Sequence, residues 1–147
     1  MRQSDDPRPN GWDAARRTAF LPSVRLFREL PPEALAAIAH RLRPRPVKAG
    51  EFVFLAGTPA AQVSLLAEGR IKIIRETEDG REVILRVIQP GEIFGGAGIW
   101  GEAVYPASAV ALDAAVVLQM PVGDFSALIG EHPDVALAVI RELAQRL

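Results

Sequence analysis

Pro90–Gly96 reads PGEIFGG, and Tyr105–Val110 reads YPASAV. The proline and glycine at the start predict a turn, and the apolar pair before Gly95 predicts a short strand. The residues between the two segments predict a loop or a short helix, and the small residues after Pro106 predict entry into the next strand. The sequence therefore indicates two strands joined by an irregular connection, where ligand-binding residues often lie.

The chain around these segments, from Val47 to about Met120, has the pattern of short antiparallel strands. Glycines recur there every 11 or 12 residues, at positions 57, 69, 80 and 91. Regular turns of this kind are typical of an all-β roll or sandwich. Asp79-Gly80 lies between two apolar runs and is a strong hairpin signal. The sequence therefore predicts a mainly β domain.

Helical patterns flank the β region on both sides. A helix over 33–42 follows Pro31-Pro32, and its apolar residues recur at i, i+3, i+4 and i+7. A second, short helix over 122–129 is ended by Gly130. The predicted organisation is a flexible lead at 1–18 with room for one helical turn around 12–17, a β-roll with its N-terminal helix at 19–130, and the start of a dimerisation helix at 131–147.

An apolar seam runs along the last predicted helix. Its members follow the 4-3-4 spacing of coiled-coil a and d positions: Ala136, Ile140, Leu143 and Leu147. One interpretation is that the seam pairs with a second copy in a homodimer, and the other is that it packs on the domain's own β-roll. The pattern favours the homodimer, because the seam continues to the last residue.

Composition limits the chemistry of the chain. Its 147 residues suit one domain, and a net charge of −1 gives no general attraction to nucleic acid or to an anionic membrane. The sequence has no cysteine, which excludes disulfides, thiolate nucleophiles and cysteine-ligated iron–sulfur clusters. No apolar run is long enough to span a membrane, and no signal peptide is visible, so a cytoplasmic location is expected.

The order of these elements resembles the effector domain of the Crp–Fnr family of bacterial transcription regulators, over roughly Leu26–Leu147. Three motifs agree with that family in order and spacing: KAGE at 48–51, LAEGRIK at 66–72 and QPGEIFG at 89–95. The resemblance implies a cyclic-nucleotide-binding-like fold, a double-stranded β-helix or jelly-roll β-roll followed by a C-terminal dimerisation helix. It also implies a cytoplasmic homodimer that senses a small-molecule or gas effector and responds by allostery.

Family members continue into a helix-turn-helix domain. The resemblance therefore implies that DNA is contacted only through a C-terminal domain that is absent from this chain. That domain was either truncated or never present, and both interpretations stay open. The effector and the target genes are likewise open.

Two positions depart from the family members that bind cyclic AMP. In those proteins the resemblance implies a glutamate on the ribose 2′-hydroxyl and an arginine on the cyclic phosphate, whereas this chain has Gly96 and Pro106 at those positions. Losing a charge-assisted partner costs about 2–5 kcal/mol of binding free energy. We therefore expect a domain that does not respond to cyclic AMP. The expected effector pocket comprises Phe94, Gly95, Gly96, Ala97, Gly98, Pro106, Ala107, Ser108 and Arg86.

Arg86 is in this set because it could replace the missing arginine. It lies in the middle of a predicted strand and shares a face with Ile84 and Ile88. The alternative is an outward arginine on a strand whose other face, Val83, Leu85 and Val87, forms the core. The pattern favours the outward arginine.

Other functions stay open beside the sensor. The domain could be a cyclic-nucleotide-binding module with atypical contacts, or a structural domain whose vestigial pocket is filled with side chains. An enzyme is not expected, because metalloenzymes of the cupin type need clustered histidines on strands, and neither histidine lies in a predicted strand.

Haem is a further hypothesis for the cofactor. YPASA resembles the nitric-oxide-responsive and related branches, some of which bind haem in a more apolar pocket. The candidate axial ligands are His40, His132, Met1 and Met120. Each histidine is more simply explained as a structural or solvent-exposed residue.

Overall fold

The computed structural model describes residues 11–145, apart from the side chain of Leu143. The helices are α1 (Ala14–Phe20), α2 (Pro32–Arg41), α3 (Val122–Glu131) and α4 (Pro133–Gln145), with 3-10 turns at Leu21–Ser23, Arg25–Phe27 and Ala97–Trp100. The strands are β1 (Arg43–Val47), β2 (Phe52–Phe54), β3 (Gln62–Glu68), β4 (Ile71–Glu76), β5 (Glu82–Ile88), β6 (Ile93–Phe94), β7 (Ser108–Ala111) and β8 (Ala115–Pro121).

The strands form two antiparallel sheets of four. One sheet has the order β1-β8-β3-β6, and the other has the order β2-β7-β4-β5. Together with the helices at both ends of the chain, they confirm the predicted mainly β fold with flanking helices. No helix within residues 11–145 is long and apolar enough to cross a membrane.

β3 and β8 are buried on both faces, because they lie between two apolar clusters. On β3, Val63 and Leu65 face the helices, whereas Leu66 faces the opposite sheet. On β8, Leu118 packs with the helices, whereas Val117 packs between the sheets. This alternation explains why both strands are almost continuously apolar in sequence.

The folded region begins earlier than the sequence predicts. Residues 11–18 fall within the predicted flexible lead, yet Trp12 is buried and α1 begins at Ala14. Arg17 is also buried, and its guanidinium donates hydrogen bonds to the backbone oxygens of Trp12 and Ala39. These contacts fix α1 against α2. Residues 1–10, the rest of the predicted lead, lie outside the described residues.

The hairpin of β4 and β5 corrects one prediction about the core. Val83, Leu85 and Val87 were expected to be core residues, but each is more than a third exposed. β5 pairs only with β4 at the edge of its sheet, and Ile88 is its one buried residue. β5 therefore has the apolar residues that the pattern predicts for a core face, but no other layer within residues 11–145 covers that face.

Of the two C-terminal helices, α3 is slightly longer than predicted, and α4 lies within the segment predicted for the dimerisation helix. Gly130 lies inside α3, which ends at Glu131, and α4 begins at Pro133 rather than after it. α4 packs on the domain through Val135 and Val139. Of the predicted seam, Ala136 is half-buried and Ile140 is 60% exposed. Leu143 lies in α4, and Leu147 lies outside the described residues.

The turn between β3 and β4 packs tightly on the turn between β7 and β8. Gly69 has a positive φ, and an added Cβ would lie 2.6 Å from the carbonyl oxygen of Ala114. Beside it, the Arg70 guanidinium donates two hydrogen bonds to the Asp113 carboxylate. This contact holds the pKa of Asp113 below its usual value. Only glycine fits at residue 69, because the backbones of the two turns are in contact.

Candidate functional site

The connection after β6 has the predicted layout of a short loop followed by one helical turn. Gly95 adopts a positive φ of 69°, and the 3-10 turn Ala97–Trp100 follows. Gly98 lies against the backbone before β3, where an added Cβ would be 2.2 Å from the carbonyl oxygen of Ala60. The same Cβ would be 2.8 Å from a methyl carbon of Val122. Gly98 therefore allows the turn to pack directly on β3 and α3. We call residues 94–108 the cassette.

The space beside the cassette loop is occupied by Phe54. Its ring stacks on Tyr105 with a centroid separation of 3.9 Å and an interplanar angle of 10°. The ring also reaches Gly95, because a Cβ added there would lie 2.7 Å from a Phe54 ring carbon. The aromatic stack therefore lies directly against the start of the cassette.

Polar groups of the cassette are used by the protein itself. The Tyr105 hydroxyl donates to the carbonyl oxygen of Gln62 at 3.0 Å and accepts from its N–H at 3.1 Å. The Ser108 hydroxyl accepts a hydrogen bond from the Ala56 N–H at 2.8 Å. These bonds attach the cassette to the first residue of β3 and to the loop that precedes it.

The two positions that depart from the nucleotide-binding pattern carry no charge, and Arg86, the candidate replacement, is paired with another residue. Pro106 is exposed, and a Cβ on Gly96 would make only an ordinary contact of 3.5 Å with Ile99. Arg86 is half-exposed and donates to the Glu92 carboxylate at 2.7 Å. The other oxygen of Glu92 accepts from the Gln89 N–H at 2.7 Å. Arg86 is thus paired with a residue of the turn that connects β5 to β6.

A cavity of about 630 Å³ lies between the first sheet and the helices. Nine apolar residues of its lining come from the N-terminal segment, from α2 and the residue after it, and from β3, β8 and α3: Val24, Leu26, Phe27, Ile38, Leu42, Val63, Leu65, Met120 and Phe125. α4 closes one side with Val139, Glu142 and Gln145. Small-molecule sites usually have volumes of about 300–1,000 Å³, so this cavity has the size of a ligand site.

The cavity includes part of the predicted effector pocket. Phe94, Gly96, Ala97 and Arg86 line it, together with Ile99 and Trp100 of the cassette. The other predicted residues do not: Gly95, Gly98, Pro106, Ala107 and Ser108 lie outside its lining. Sequence reasoning missed the contribution of Val24 to Phe27, because an apolar segment before a helix gives no sign of which sheet it will cover.

Neither histidine is placed to hold a haem iron in this cavity. His40 is exposed on α2, and His132 is half-buried between α3 and α4. Met120 is the one haem-ligand candidate that lines the cavity, and Met1 lies outside the described residues. Within residues 11–145 no group of three or more metal-binding side chains occurs. The lining therefore lacks the histidine ligand that a haem site of the globin type needs.

Comparisons with known proteins identify the fold of this chain. A family model described as "Cyclic nucleotide-binding domain" matches residues 44–132. The chain is 29% identical over 122 residues to the CRP-like cAMP-activated global transcriptional regulator of Mycobacterium tuberculosis, covering 83% of this chain and 54% of that protein. It is 34% identical over 126 residues to the cyclic AMP receptor protein of Thermus thermophilus, covering 83% and 56%.

A solved structure is similar over nearly the whole chain. The sensor domain of the transcriptional regulator DNR from Pseudomonas aeruginosa is 27% identical, with a TM-score of 0.81. The alignment covers 91% of this chain and 90% of that one. The chain spans about half the length of the curated relatives it matches.

Proposed function

The chain belongs to the cyclic nucleotide-binding domain family, as the effector domain of a Crp–Fnr type regulator, and on that basis we propose that it senses an effector other than cyclic AMP. The parent protein would be a cytoplasmic, homodimeric transcription regulator rather than an enzyme. Its effector would occupy the cavity between the β-roll and α4. Binding would then favour one arrangement of α4 and of the dimer that α4 forms.

One observation about α4 carries this proposal. The helix presents Val139 and Glu142 to the cavity, and it leaves Leu137 and Ile140 at least half exposed on another side. A ligand in the cavity and a partner on the exposed side would therefore act on the same rigid element. A ligand shifts the equilibrium between two arrangements of α4 only if it binds them with different affinity. Direct contact with α4 supplies a reason for that difference.

The absence of a response to cyclic AMP is proposed from the cassette. Phe54 fills the space beside Gly95, and neither Gly96 nor Pro106 provides the carboxylate or guanidinium that the nucleotide would need. Arg86 is held by Glu92. The relatives that are named for cyclic AMP make an atypical nucleotide site the main alternative. Native mass spectrometry of the purified protein with and without cyclic AMP distinguishes the proposed sensor from an atypical nucleotide site. One nucleotide retained per chain would support the atypical site and refute the proposal.

The dimer seam gives a direct prediction. We expect Ile140→Glu to weaken the dimer by about 2 kcal/mol or more, roughly 30-fold in dissociation constant, because it places a carboxylate in an apolar contact. Sedimentation velocity measures the change. Arg141→Glu is the matched control, since it introduces the same side chain at the next residue, which is exposed and off the seam. Unchanged dimers of Ile140→Glu would rule out the α4 seam as the interface.

A further inference from the structure

The interior of the cavity is mainly apolar; among its described lining residues Ser64 is the one fully buried polar side chain, and its hydroxyl accepts a hydrogen bond from the Gln119 amide at 3.1 Å. Its apolar lining includes Ile38, Leu42, Met120 and Phe125, each less than 5% exposed. Polar side chains line it where the chain is exposed, at Arg25 and Arg86. The cavity therefore has a mainly apolar interior and a polar mouth.

The charges at the mouth are balanced by contacts within the protein. Arg86 pairs with Glu92 at 2.7 Å. Arg25 pairs with Glu142 at 3.5 Å and also donates a hydrogen bond to the Gln145 side chain. Two arginines and two glutamates thus line the cavity, and their formal charges sum to zero. A charged ligand would have to separate one of these pairs or leave its own charge without a partner.

We propose that the cavity binds an uncharged, mainly apolar small molecule whose hydrogen-bonding end lies at the mouth. This inference rests on the proposed function, because it names the chemical class of the effector for the same cavity. An uncharged ligand leaves both ion pairs intact and gains binding free energy by burying its apolar surface against the cavity wall. The Gln145 amide can donate to and accept from a neutral polar end.

The balanced charges at the mouth also distinguish an uncharged ligand from a cyclic nucleotide or a haem. A cyclic nucleotide carries a phosphate charge, and a haem carries two carboxylates and an iron that needs an axial ligand. Each would bring negative charge to a mouth where Glu92 and Glu142 already balance both arginines. A charge carried into the apolar interior would be buried without a partner, which is costly, so the cavity selects against ligands whose charge lies below the mouth.

Three ligands with one alkyl chain and different ends test the proposal: decan-1-ol, decanoate and decyltrimethylammonium. Each ligand is added to the full chain at neutral pH, in competition with the neutral fluorescent probe N-phenyl-1-naphthylamine. We expect decan-1-ol to displace one probe per chain and both ions to bind at least about tenfold more weakly, because each ion disturbs an ion pair. Decanoate or the ammonium ion binding as tightly as the alcohol would overturn the proposal, as would a failure of the probe and the alcohol to bind.

Cavity-filling variants locate the binding. Val139→Trp should abolish probe binding, because it places a large ring in the cavity, and Ile99→Trp should do the same from the cassette side. Ala127→Trp is the control, since residue 127 is exposed on α3 and lines none of the described cavities. Circular dichroism establishes which variants are folded. Probe binding retained by a folded Val139→Trp or Ile99→Trp variant would place the ligand elsewhere and refute the proposal.

The experiment also separates the ligand class from the sensing function. Selective binding of the alcohol without any change in the dimer would support the ligand class and contradict the sensing mechanism. A change in the dimer produced by decanoate alone would support sensing and contradict the uncharged ligand. The two proposals therefore fail on different measurements.

Discussion

We expect Gly98→Ala to lower the stability of the domain by about 1–3 kcal/mol, because overpacking of a closely packed site typically has that cost. The added Cβ would lie 2.2 Å from the carbonyl oxygen of Ala60 and 2.8 Å from a carbon of Val122. The first of these atoms belongs to the backbone, so relief of the clash requires the cassette turn to move away from β3. Thermal unfolding followed by circular dichroism should show a decrease in midpoint of several degrees.

Gly96→Ala is the matched control for this variant. The residue lies two positions earlier in the same loop, and its added Cβ would meet only Ile99 at an ordinary 3.5 Å. A change of about 0.5 kcal/mol or less is expected for such a substitution. Equal midpoints for Gly98→Ala and Gly96→Ala would show that the close approach of the cassette to Ala60 does not hold in solution.

The second large effect concerns cyclic AMP. We expect no measurable binding by the unchanged chain in isothermal titration calorimetry, and a gain of at least about 30-fold in affinity for the triple variant Phe54→Ala, Gly96→Glu, Pro106→Arg. The first substitution removes the ring that fills the space beside Gly95. The other two restore the carboxylate and guanidinium that nucleotide-binding relatives are expected to have.

The double variant Gly96→Glu, Pro106→Arg is the control for the aromatic ring. It has both polar groups but keeps Phe54 stacked on Tyr105, so it should bind cyclic AMP much more weakly than the triple variant. Equal binding by the two variants would show that Phe54 does not occupy the nucleotide site. Micromolar binding by the unchanged chain would contradict the proposed function itself.

Local patterns in the sequence predicted most of the fold. The glycine spacing and the Asp79-Gly80 turn indicated short antiparallel strands, and β4 and β5 pair around that turn as expected. The family resemblance is confirmed by the match over residues 44–132. These features depend on residues close together in the chain, so the sequence alone carries them.

Long-range packing limited the predictions at other positions. The apolar alternation of Val83, Leu85 and Val87 indicated a core face, yet β5 is an edge strand with no layer over it. Trp12 and Arg17 lie in a segment that resembles a flexible lead, and only their contacts with Glu68 and Ala39 show that it is folded. No local pattern encodes which distant surface covers a strand or a terminus.

Long-range packing also limited what the sequence could predict about the candidate site. The sequence identified the cassette, but it could not show that Phe54 lies beside Gly95 or that Val24 and Val139 share a cavity. Those residues meet only after the sheet and helices pack. The missing carboxylate and guanidinium at Gly96 and Pro106 were visible directly, because they are single positions in a recognisable motif.

The most direct test of the account is a distance between α4 and the β-roll, measured with and without ligand. The chain has no cysteine, so spin labels on Ala114→Cys and Ala144→Cys, both at exposed positions, report a single pair of sites. Labelled chain would be diluted with unlabelled chain to isolate distances within one subunit, and measured by pulsed electron–electron double resonance. We predict that saturating decan-1-ol shifts the distance distribution and that cyclic AMP leaves it unchanged. An unchanged distribution with bound decan-1-ol, or a shift produced by cyclic AMP, would contradict the account.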